Sequence, residues 1–249
     1  MNPVIVIPTY VSSRRRKEPT SVTATYDHTT PLKNPGELPR LLTSLQKVRG
    51  IGQIIVLVAA DQSTEAQAAD KVQDIVSRFP SLNVAVIGAA EYGLVQQRME
   101  QLGLGKLQKE IGLSGYGAIR NLGLVLANVM GFDSVVFLDD DEVIDDAEFL
   151  QKGVYGLGKL TRKGVPILAK SGFYFNSEGS FLSKSQDKCT TISGSRARRS
   201  TRGSRRPCAV RAYRAATTCA AAAWRCTRKR SNACRSTRGS RAAKTSTTC

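Results

Sequence analysis

Two absences divide this sequence of 249 residues. No cysteine occurs before Cys189, and no Asp or Glu occurs after Asp187. Residues 189–249 hold 16 of the 37 Lys and Arg, so residues 1–188 carry the other 21 against all 20 acidic residues. A net charge of +17 would by itself indicate nucleic acid or an anionic membrane as a partner. Because the excess lies in the last segment alone, residues 1–188 are nearly neutral, and one average charge describes neither segment.

Long apolar runs are absent as well. The longest run, Ile54–Ala60, has the length of a strand, whereas a membrane helix needs roughly 20 apolar residues. No basic segment followed by a long apolar one opens the chain, which argues against a signal peptide. The lack of cysteine before Cys189 suits the cytoplasm. We therefore expect a cytoplasmic protein without a transmembrane segment, with the inner face of the membrane as the alternative location.

Residues 1–188 alternate apolar runs of strand length with segments of helical periodicity. This alternation predicts an α/β fold with a doubly wound, mostly parallel sheet. The predicted strands are Val4–Ile7 (ended by Pro8), Ile54–Ala60, Leu82–Ile87, Ser134–Leu138, Val165–Ala169 and Phe173–Phe175. The predicted helices are Glu37–Val48, Ala66–Phe79 (capped by Ser63 or Thr64) and Ser114–Met130 (ended by Gly131), with a helix-like segment between Glu91 and Gly112. Ligands of such sheets bind beyond the carboxyl ends of the strands, where this sequence carries Thr9, Asp61 and Asp139–Asp141.

A polar loop is predicted between Ser12 and Pro35, and it contains the basic run Arg14–Lys17 and the single histidine, His28. The basic run is interpreted as a solvated loop, with contact to phosphates as the alternative. His28 lies beside an acidic residue in this polar stretch, which is typical of a surface position rather than a metal ligand or a catalytic base.

Three successive carboxylates, Asp139, Asp140 and Asp141, follow the fourth predicted strand. Like charges this close repel one another and raise each other's pKa unless a positive charge lies among them. A divalent cation, Mg²⁺ or Mn²⁺, suits such hard oxygen ligands and commonly also binds substrate phosphates. In an extended stretch Asp139 and Asp141 would point to the same side. The alternative is a solvated acidic turn without a ligand.

A glycine-containing segment precedes the third predicted helix and runs from Gly115 to Asn121 with the sequence Gly-Tyr-Gly-Ala-Ile-Arg-Asn. Glycines allow close approach of the backbone, and a helix N-terminus favours anions. Arg120 would bind a phosphate there or pair with the acidic residues at positions 139–141.

These features, in this order, resemble family-two glycosyltransferases of the GT-A fold over residues 3–178. Val4–Tyr10 resembles the family's first strand, whose Pro-containing end borders the nucleotide base, so that Pro8, Thr9 and Tyr10 would lie at the nucleoside. Asp61 is placed like the acid that contacts the base or ribose. The segment around Arg120 resembles an Ala-Arg-Asn stretch with Ile119 inserted. Residues 137–141, Phe-Leu-Asp-Asp-Asp, are similar to the Asp-X-Asp motif.

The resemblance implies transfer of a sugar from a nucleotide-diphosphate sugar to a saccharide, lipid or other hydroxyl acceptor, in an inverting, metal-dependent reaction of cell-surface polysaccharide synthesis. It implies Asp139 and Asp140 near the ribose and diphosphate, and Asp141, with Asp139, on a Mn²⁺ or Mg²⁺ ion. The family's catalytic base lies downstream in an acidic Glu-Asp motif. This chain has no acid after Asp187, so the base belongs to an acceptor half that residues 189–249 do not supply.

The basic tail, residues 189–249, allows three interpretations. As a disordered nucleic-acid tail it has too few aromatic residues for base stacking, and this argues against nucleic acid as a partner. As a zinc or disulfide module it lacks His and any Cys-X-X-Cys pair. The third interpretation is out-of-frame translation of a GC-rich gene, because Arg, Ala, Ser, Thr, Gly and Cys are the residues that such shifts yield.

The out-of-frame hypothesis is testable on the sequence itself. If one base is lost near Lys188, residues 190–194 read Tyr-Asp-His-Phe-Trp for a permitted choice of wobble bases. The last nine codons, 241–249, then read Thr-Arg-Gly-Glu-Asp-Leu-Asp-Tyr-Leu. One shift thus restores acids and aromatic residues across the tail and permits the missing Glu-Asp motif.

Two other functions remain open. A nucleotidyltransferase shares a similar α/β sheet and metal-binding carboxylates, but it normally has a glycine-rich basic loop after the first strand. Arg14–Lys17 has the basic residues of such a loop without the glycines. A non-catalytic nucleic-acid binder would act through the basic tail and would bind in a salt-dependent manner.

Overall fold

The computed structural model describes residues 1–12, 30–173, 175 and 218–219. The strands are β1 (Pro3–Ser12), β2 (Thr30–Pro31), β3 (Gln53–Ala60), β4 (Val84–Ile87), β5 (Ser134–Phe137), β6 (Lys170–Ser171) and β7 (Thr218–Cys219). The helices are α1 (Leu38–Leu45), α2 (Glu65–Ser77), α3 (Ala89–Gln101), α4 (Tyr116–Val129) and α5 (Phe149–Val154), with 3₁₀ turns at Gln62–Thr64 and Gly105–Glu110.

One mostly parallel sheet organises the chain, in the strand order β4-β3-β1-β5-β7-β6, with β2 also paired to β1. The pairs β1–β2, β1–β3, β1–β5 and β3–β4 are parallel, whereas β7 is antiparallel to β5 and β6. From β1 the chain moves outward through β3 to β4 and then returns to place β5 on the other side of β1. This reversal makes the crevice between β1 and β5 a topological switch point, where open α/β sheets bind their ligands. The predicted fold class is confirmed.

Each face of the sheet carries its own apolar core because successive strand residues point to opposite faces. Ile5, Ile7 and Val11 of β1 pack on one face with α1, α2 and α5. Val4, Val6 and Tyr10 pack on the other face with α4. Burial on both faces explains why β1 and β3 read as continuous apolar runs.

The first strand does not end at Pro8, as the sequence predicted, but continues to Ser12. The carbonyl of Val6 accepts a hydrogen bond from the Leu138 N–H, so the polar backbone groups of Val6 face β5. The backbone groups of Pro8, two residues later, face the same side, but they lie beyond Phe137, where β5 ends. The missing N–H of Pro8 therefore removes no ladder bond, and the strand carries Thr9, Tyr10 and Ser12 past the end of its neighbour.

The predicted helices form with small shifts at their ends. Thr64 is the N-cap of α2, but its hydroxyl donates to the Asp61 carbonyl at 3.0 Å and makes no side-chain capping bond to the helix. Gly115, with φ at 92°, precedes α4, and Gly131, with φ at 85°, follows it. The helix-like segment between Glu91 and Gly112 divides into α3 and a 3₁₀ turn.

The strands predicted at Val165–Ala169 and Phe173–Phe175 are wrong in the part of the chain described. Val165–Ala169 is irregular apart from one bridge between Leu160 and Pro166, and only Lys170–Ser171 forms a strand. Glycines with positive φ at positions 156, 158 and 164 break this region into turns, so its apolar run does not extend. Among the described residues, no helix is long and apolar enough to cross a membrane.

Several predictions concern residues outside those described. They include the basic run Arg14–Lys17, His28, most of the loop that contains them, and the tail beyond residue 188 apart from β7. The backbone of β7 pairs with β5 and β6, which is the one described exception to a tail predicted to lack secondary structure.

Candidate functional site at the carboxyl ends of β1, β3 and β5

The switch point between β1 and β5 is bridged by a side-chain hydrogen bond. The Thr9 hydroxyl, at the end of β1, donates to Oδ2 of Asp140, which follows β5. Thr9 is buried and Asp140 is half-buried. This bond fixes the first residues of the acidic segment against the neighbouring strand, so that two of the predicted site residues meet at the crevice that the topology defines.

A second cluster joins β1 to β3. The Tyr10 hydroxyl donates to Oδ1 of Asp61 at 3.1 Å, and the Ser12 hydroxyl donates to Oδ2 of the same carboxylate at 3.1 Å. Tyr10 and Ser12 lie on the same face of β1 because they are two residues apart. The Asp61 carboxylate is thus oriented by two hydroxyl groups at the edge of the sheet, where it remains partly exposed.

Arg120 connects α4 to the acidic segment. Its Nη2 lies 2.9 Å from Oδ1 of Asp139, and its guanidinium stacks 3.7 Å from the centre of the Tyr116 ring. The Arg120 side chain is 19% exposed and that of Asp139 is 52% exposed. Stacking and ion pairing together hold the guanidinium in one orientation. Arg120 thus pairs with the acidic segment, which is one of the two roles predicted for it.

The acidic segment forms a turn rather than an extended stretch. The Glu142 N–H donates to the Asp139 carbonyl at 3.2 Å, and the Glu142 carboxylate accepts from the Asp139 N–H at 3.2 Å. Asp140 and Asp141 lie in the turn that these bonds close. The extended backbone that would place Asp139 and Asp141 on the same side is therefore wrong, because the strand ends at Phe137, and the alternative of an acidic turn describes this backbone.

The electrostatics of the turn are unbalanced. Burial raises the pKa of the Asp139 carboxyl, the Arg120 guanidinium opposes this rise, and the Asp141 carboxylate adds to it. The net direction of the pKa is upward, because the ion pair with Arg120 does not fully offset the burial of the Asp139 carboxyl and the smaller repulsion by Asp141. Additional positive charge at the turn would stabilise the ionised form of Asp139.

The residues present fit a divalent cation of the kind that is shared with a ligand. Among the residues described, no three His, Cys, Asp or Glu side chains form a complete metal-binding group. Mg²⁺ and Mn²⁺ sites that use substrate phosphates need only one or two protein carboxylates. The carboxylates of Asp139 and Asp141, neither of which is fully buried, offer oxygen ligands of that number.

Sequence reasoning missed three residues that shape this site. Ser12 begins the predicted polar loop, although its spacing from Tyr10 would place it on the same face of a longer strand. Tyr116 lies in the glycine-containing segment, where no sequence pattern indicates its stacking on Arg120. Arg40 carries no sequence signal for its hydrogen bond from Nη2 to the Asp141 carbonyl at 2.8 Å, since the contact joins residues 101 positions apart.

Comparisons with solved structures give weak likenesses, among them to two transferases. No family model matches the chain, and no curated protein matches it. A cytidylyltransferase from Leptospira borgpetersenii serovar Hardjo-bovis is 16% identical, with a TM-score of 0.36, over 70% of this chain and 57% of its own. Mouse xyloside xylosyltransferase 1, in its apo form, is 9% identical, with a TM-score of 0.32, over 69% of this chain and 52% of its own. This chain thus spans little more than half of each neighbour, and likenesses at these TM-scores do not indicate its function.

Proposed function

We propose that this chain is the donor-binding part of a glycosyltransferase that uses a nucleotide-diphosphate sugar. The observation that carries the proposal is a pair of oriented carboxylates at the carboxyl edge of the sheet, one after each of the two strands that flank β1. Asp61 is held by Tyr10 and Ser12 at the end of β3, and Asp140 is held by Thr9 after β5. Strand β1 runs between the two carboxylates, and the Thr9–Asp140 bond alone spans the crevice between β1 and β5.

The Asp61 cluster suits the nucleoside. A carboxylate with fixed orientation accepts hydrogen bonds from ribose hydroxyls or from N–H groups of a base. Two hydroxyl donors already fix its two oxygens, which leaves further lone pairs of the carboxylate for a ligand. Pro8 and Tyr10, on the strand beside Asp61, would border the base.

The acidic turn suits the diphosphate. Asp139 and Asp141 would hold Mn²⁺ or Mg²⁺ together with the donor phosphates, while Asp140, fixed by Thr9, would lie near the ribose. When bound, the cation supplies neutralisation of the charge that develops on the departing nucleoside diphosphate. Arg120 holds Asp139 in the free protein and lies close enough to this turn to contribute a second positive charge toward the phosphates.

Transfer to a saccharide, lipid or other hydroxyl acceptor also requires a base that deprotonates the attacking hydroxyl. We propose that this base belongs to the acceptor half, which residues 189–249 do not supply as written, because they contain no carboxylate. The chain is therefore expected to bind its donor and to transfer sugar poorly.

Calorimetry on the full chain tests the two ends of the site separately. A panel of nucleotide sugars is titrated in Mn²⁺ into the wild type, Asp61→Asn, Asp141→Ala and the control Asp74→Ala on α2. Asp61→Asn is expected to weaken binding of the free nucleoside and of the nucleotide sugar alike. Asp141→Ala is expected to abolish the Mn²⁺-dependent part alone, and the control to behave as the wild type.

Equal Mn²⁺-dependent binding by the wild type and Asp141→Ala would exclude the role of Asp141. The same samples distinguish the alternative enzyme class. Release of pyrophosphate from a nucleoside triphosphate and a sugar phosphate would identify a nucleotidyltransferase instead, and salt-sensitive binding of nucleic acid that is lost with residues 189–249 would identify a nucleic-acid binder.

A further inference from the structure

We propose that α1 is a positioning element for the acidic turn, and that Ser44 and Arg40 set its place relative to β1. The proposal rests on the proposed function only for its effect on donor binding. The segment of residues 139–147 contains no helix or strand, so its geometry depends on what it is bonded to.

Ser44 is the central contact. It is 5% exposed on a helix face that is otherwise made of leucines. Its hydroxyl donates to the Leu41 carbonyl at 2.7 Å and accepts from the Ile144 N–H at 3.0 Å. A buried backbone N–H that loses its acceptor is costly, so the hydroxyl both satisfies this group and ties the acidic segment to α1.

Two more bonds flank this contact. Arg40 Nη2 donates to the Asp141 carbonyl at 2.8 Å and is held by Glu37 Oε2 at 3.1 Å. The Arg49 N–H donates to the Ala147 carbonyl at 2.8 Å. The α1 segment and the turn after it therefore hold residues 141, 144 and 147, every third residue of the loop, through backbone groups of the loop.

The two ends of the acidic turn are held by different elements of the fold. Asp139 and Asp140 are held by Arg120 and Thr9, from α4 and β1, whereas the Asp141 backbone is held by Arg40. If both Asp139 and Asp141 are ligands, their separation depends on α1 keeping its place. Displacement of a ligand by about 1 Å is enough to weaken a preorganised site.

The test combines hydrogen exchange with calorimetry on the full chain. Ser44→Ala is expected to speed amide exchange in residues 139–147 by roughly ten-fold, since it removes the acceptor of a buried N–H. Exchange in α2 should not change. Mn²⁺-dependent donor binding should weaken by a similar factor, while binding of the free nucleoside without metal should stay at the wild-type value.

Arg40→Ala is the second variant, because its side chain is 58% exposed and its loss threatens the fold less. The direction in which this variant changes cation binding separates a positioning role from a purely electrostatic one. Removing a positive charge beside a cation site strengthens cation binding by Coulomb's law, whereas loss of positioning weakens it. We expect weaker Mn²⁺-dependent binding.

Thr43→Ala is the matched control. Thr43 lies on the exposed face of α1 and donates to the Pro39 carbonyl at 2.8 Å, so the variant removes a hydroxyl from the same helix without touching the acidic segment. Ser44→Ala and Arg40→Ala variants that match this control in exchange and in donor affinity would overturn the proposal. Faster exchange with unchanged donor affinity would also overturn it, since α1 would then support the fold alone.

Failure of the proposed function is recognised separately. A wild type that binds no nucleotide sugar would contradict the function, and the exchange data, which need no ligand, would still decide whether α1 holds the acidic segment.

Discussion

Gly123 of α4 lies where this helix packs against the two strands that form the switch point. A Cβ at this position would lie 2.8 Å from Cγ1 of Val6 and 3.2 Å from Cε1 of Phe137. Val6 belongs to β1 and Phe137 to β5, and both side chains are buried. The absence of a side chain at Gly123 therefore lets the helix that carries Arg120 approach the two strands that form the crevice.

Gly123→Ala has two opposing effects on the free energy of unfolding. Replacing a helical glycine by alanine gains about 1 kcal/mol. Carbon atoms normally approach to about 3.5 Å or more, so the new methyl group must displace buried, β-branched or aromatic neighbours, and such overpacking costs about 1–3 kcal/mol. The expected net effect is a loss of up to about 2 kcal/mol.

Gly117→Ala on the same helix is the control, because a Cβ there meets no atom within 4 Å. It should gain up to about 1 kcal/mol. Urea unfolding, followed by circular dichroism, compares the two variants with the wild type. Equal stabilisation by both alanines would refute the close approach of α4 to β1 and β5, since only that approach makes the two glycines different.

Three further predictions use other assays. Asp146→Asn should lower the free energy of unfolding by about 0.2–1 kcal/mol at neutral pH. The hydrogen bond from Lys152 lowers the pKa of Asp146, so the ionised carboxylate stabilises the fold above the ordinary carboxyl pKa. The stability difference between wild type and variant should therefore close as the pH falls through the lowered pKa. A difference that persists in acid would contradict this. Arg120→Lys keeps the charge but loses the planar stack on Tyr116, and calorimetry should show weaker Mn²⁺-dependent donor binding; unchanged affinity would remove Arg120 from the site. Sequencing the gene around the Lys188 codon should show one missing base, and an intact cysteine codon with tail peptides in the mass spectrum would refute the out-of-frame hypothesis.

The parts of the fold that sequence could predict are those with strong local patterns. Ile54–Ala60 is apolar on both faces and became β3, and the leucine spacing from Leu38 to Leu45 became α1. The predicted end of the first strand at Pro8 was wrong because the effect of a proline on a strand depends on the neighbouring strand. A proline ends a strand only where its missing N–H faces a partner, and here β5 has already ended.

The candidate site divides in the same way. Thr9, Asp61 and the acidic run were found because they follow apolar strands in the chain. Two hydrogen bonds that hold the site were not predicted, because Thr9 contacts Asp140 across 131 positions and Ser44 contacts Ile144 across 100. Such contacts arise from strand order and helix packing, and no local pattern encodes them. The turn at Asp140–Asp141 corresponds to the alternative interpretation of the acidic run, and the extended backbone was wrong because alternation was continued beyond the end of β5.

Donor binding and its dependence on metal are decided by titrating the full chain with nucleotide-diphosphate sugars, once in Mn²⁺ and once in a chelator. We expect saturable binding of one donor per chain in Mn²⁺, and binding weaker by roughly ten-fold or more in the chelator, because the acidic turn alone repels the diphosphate. If no nucleotide sugar binds in either condition, the chain is not a donor-binding domain, and equal affinity in both conditions would show that the acidic turn binds no metal with the donor.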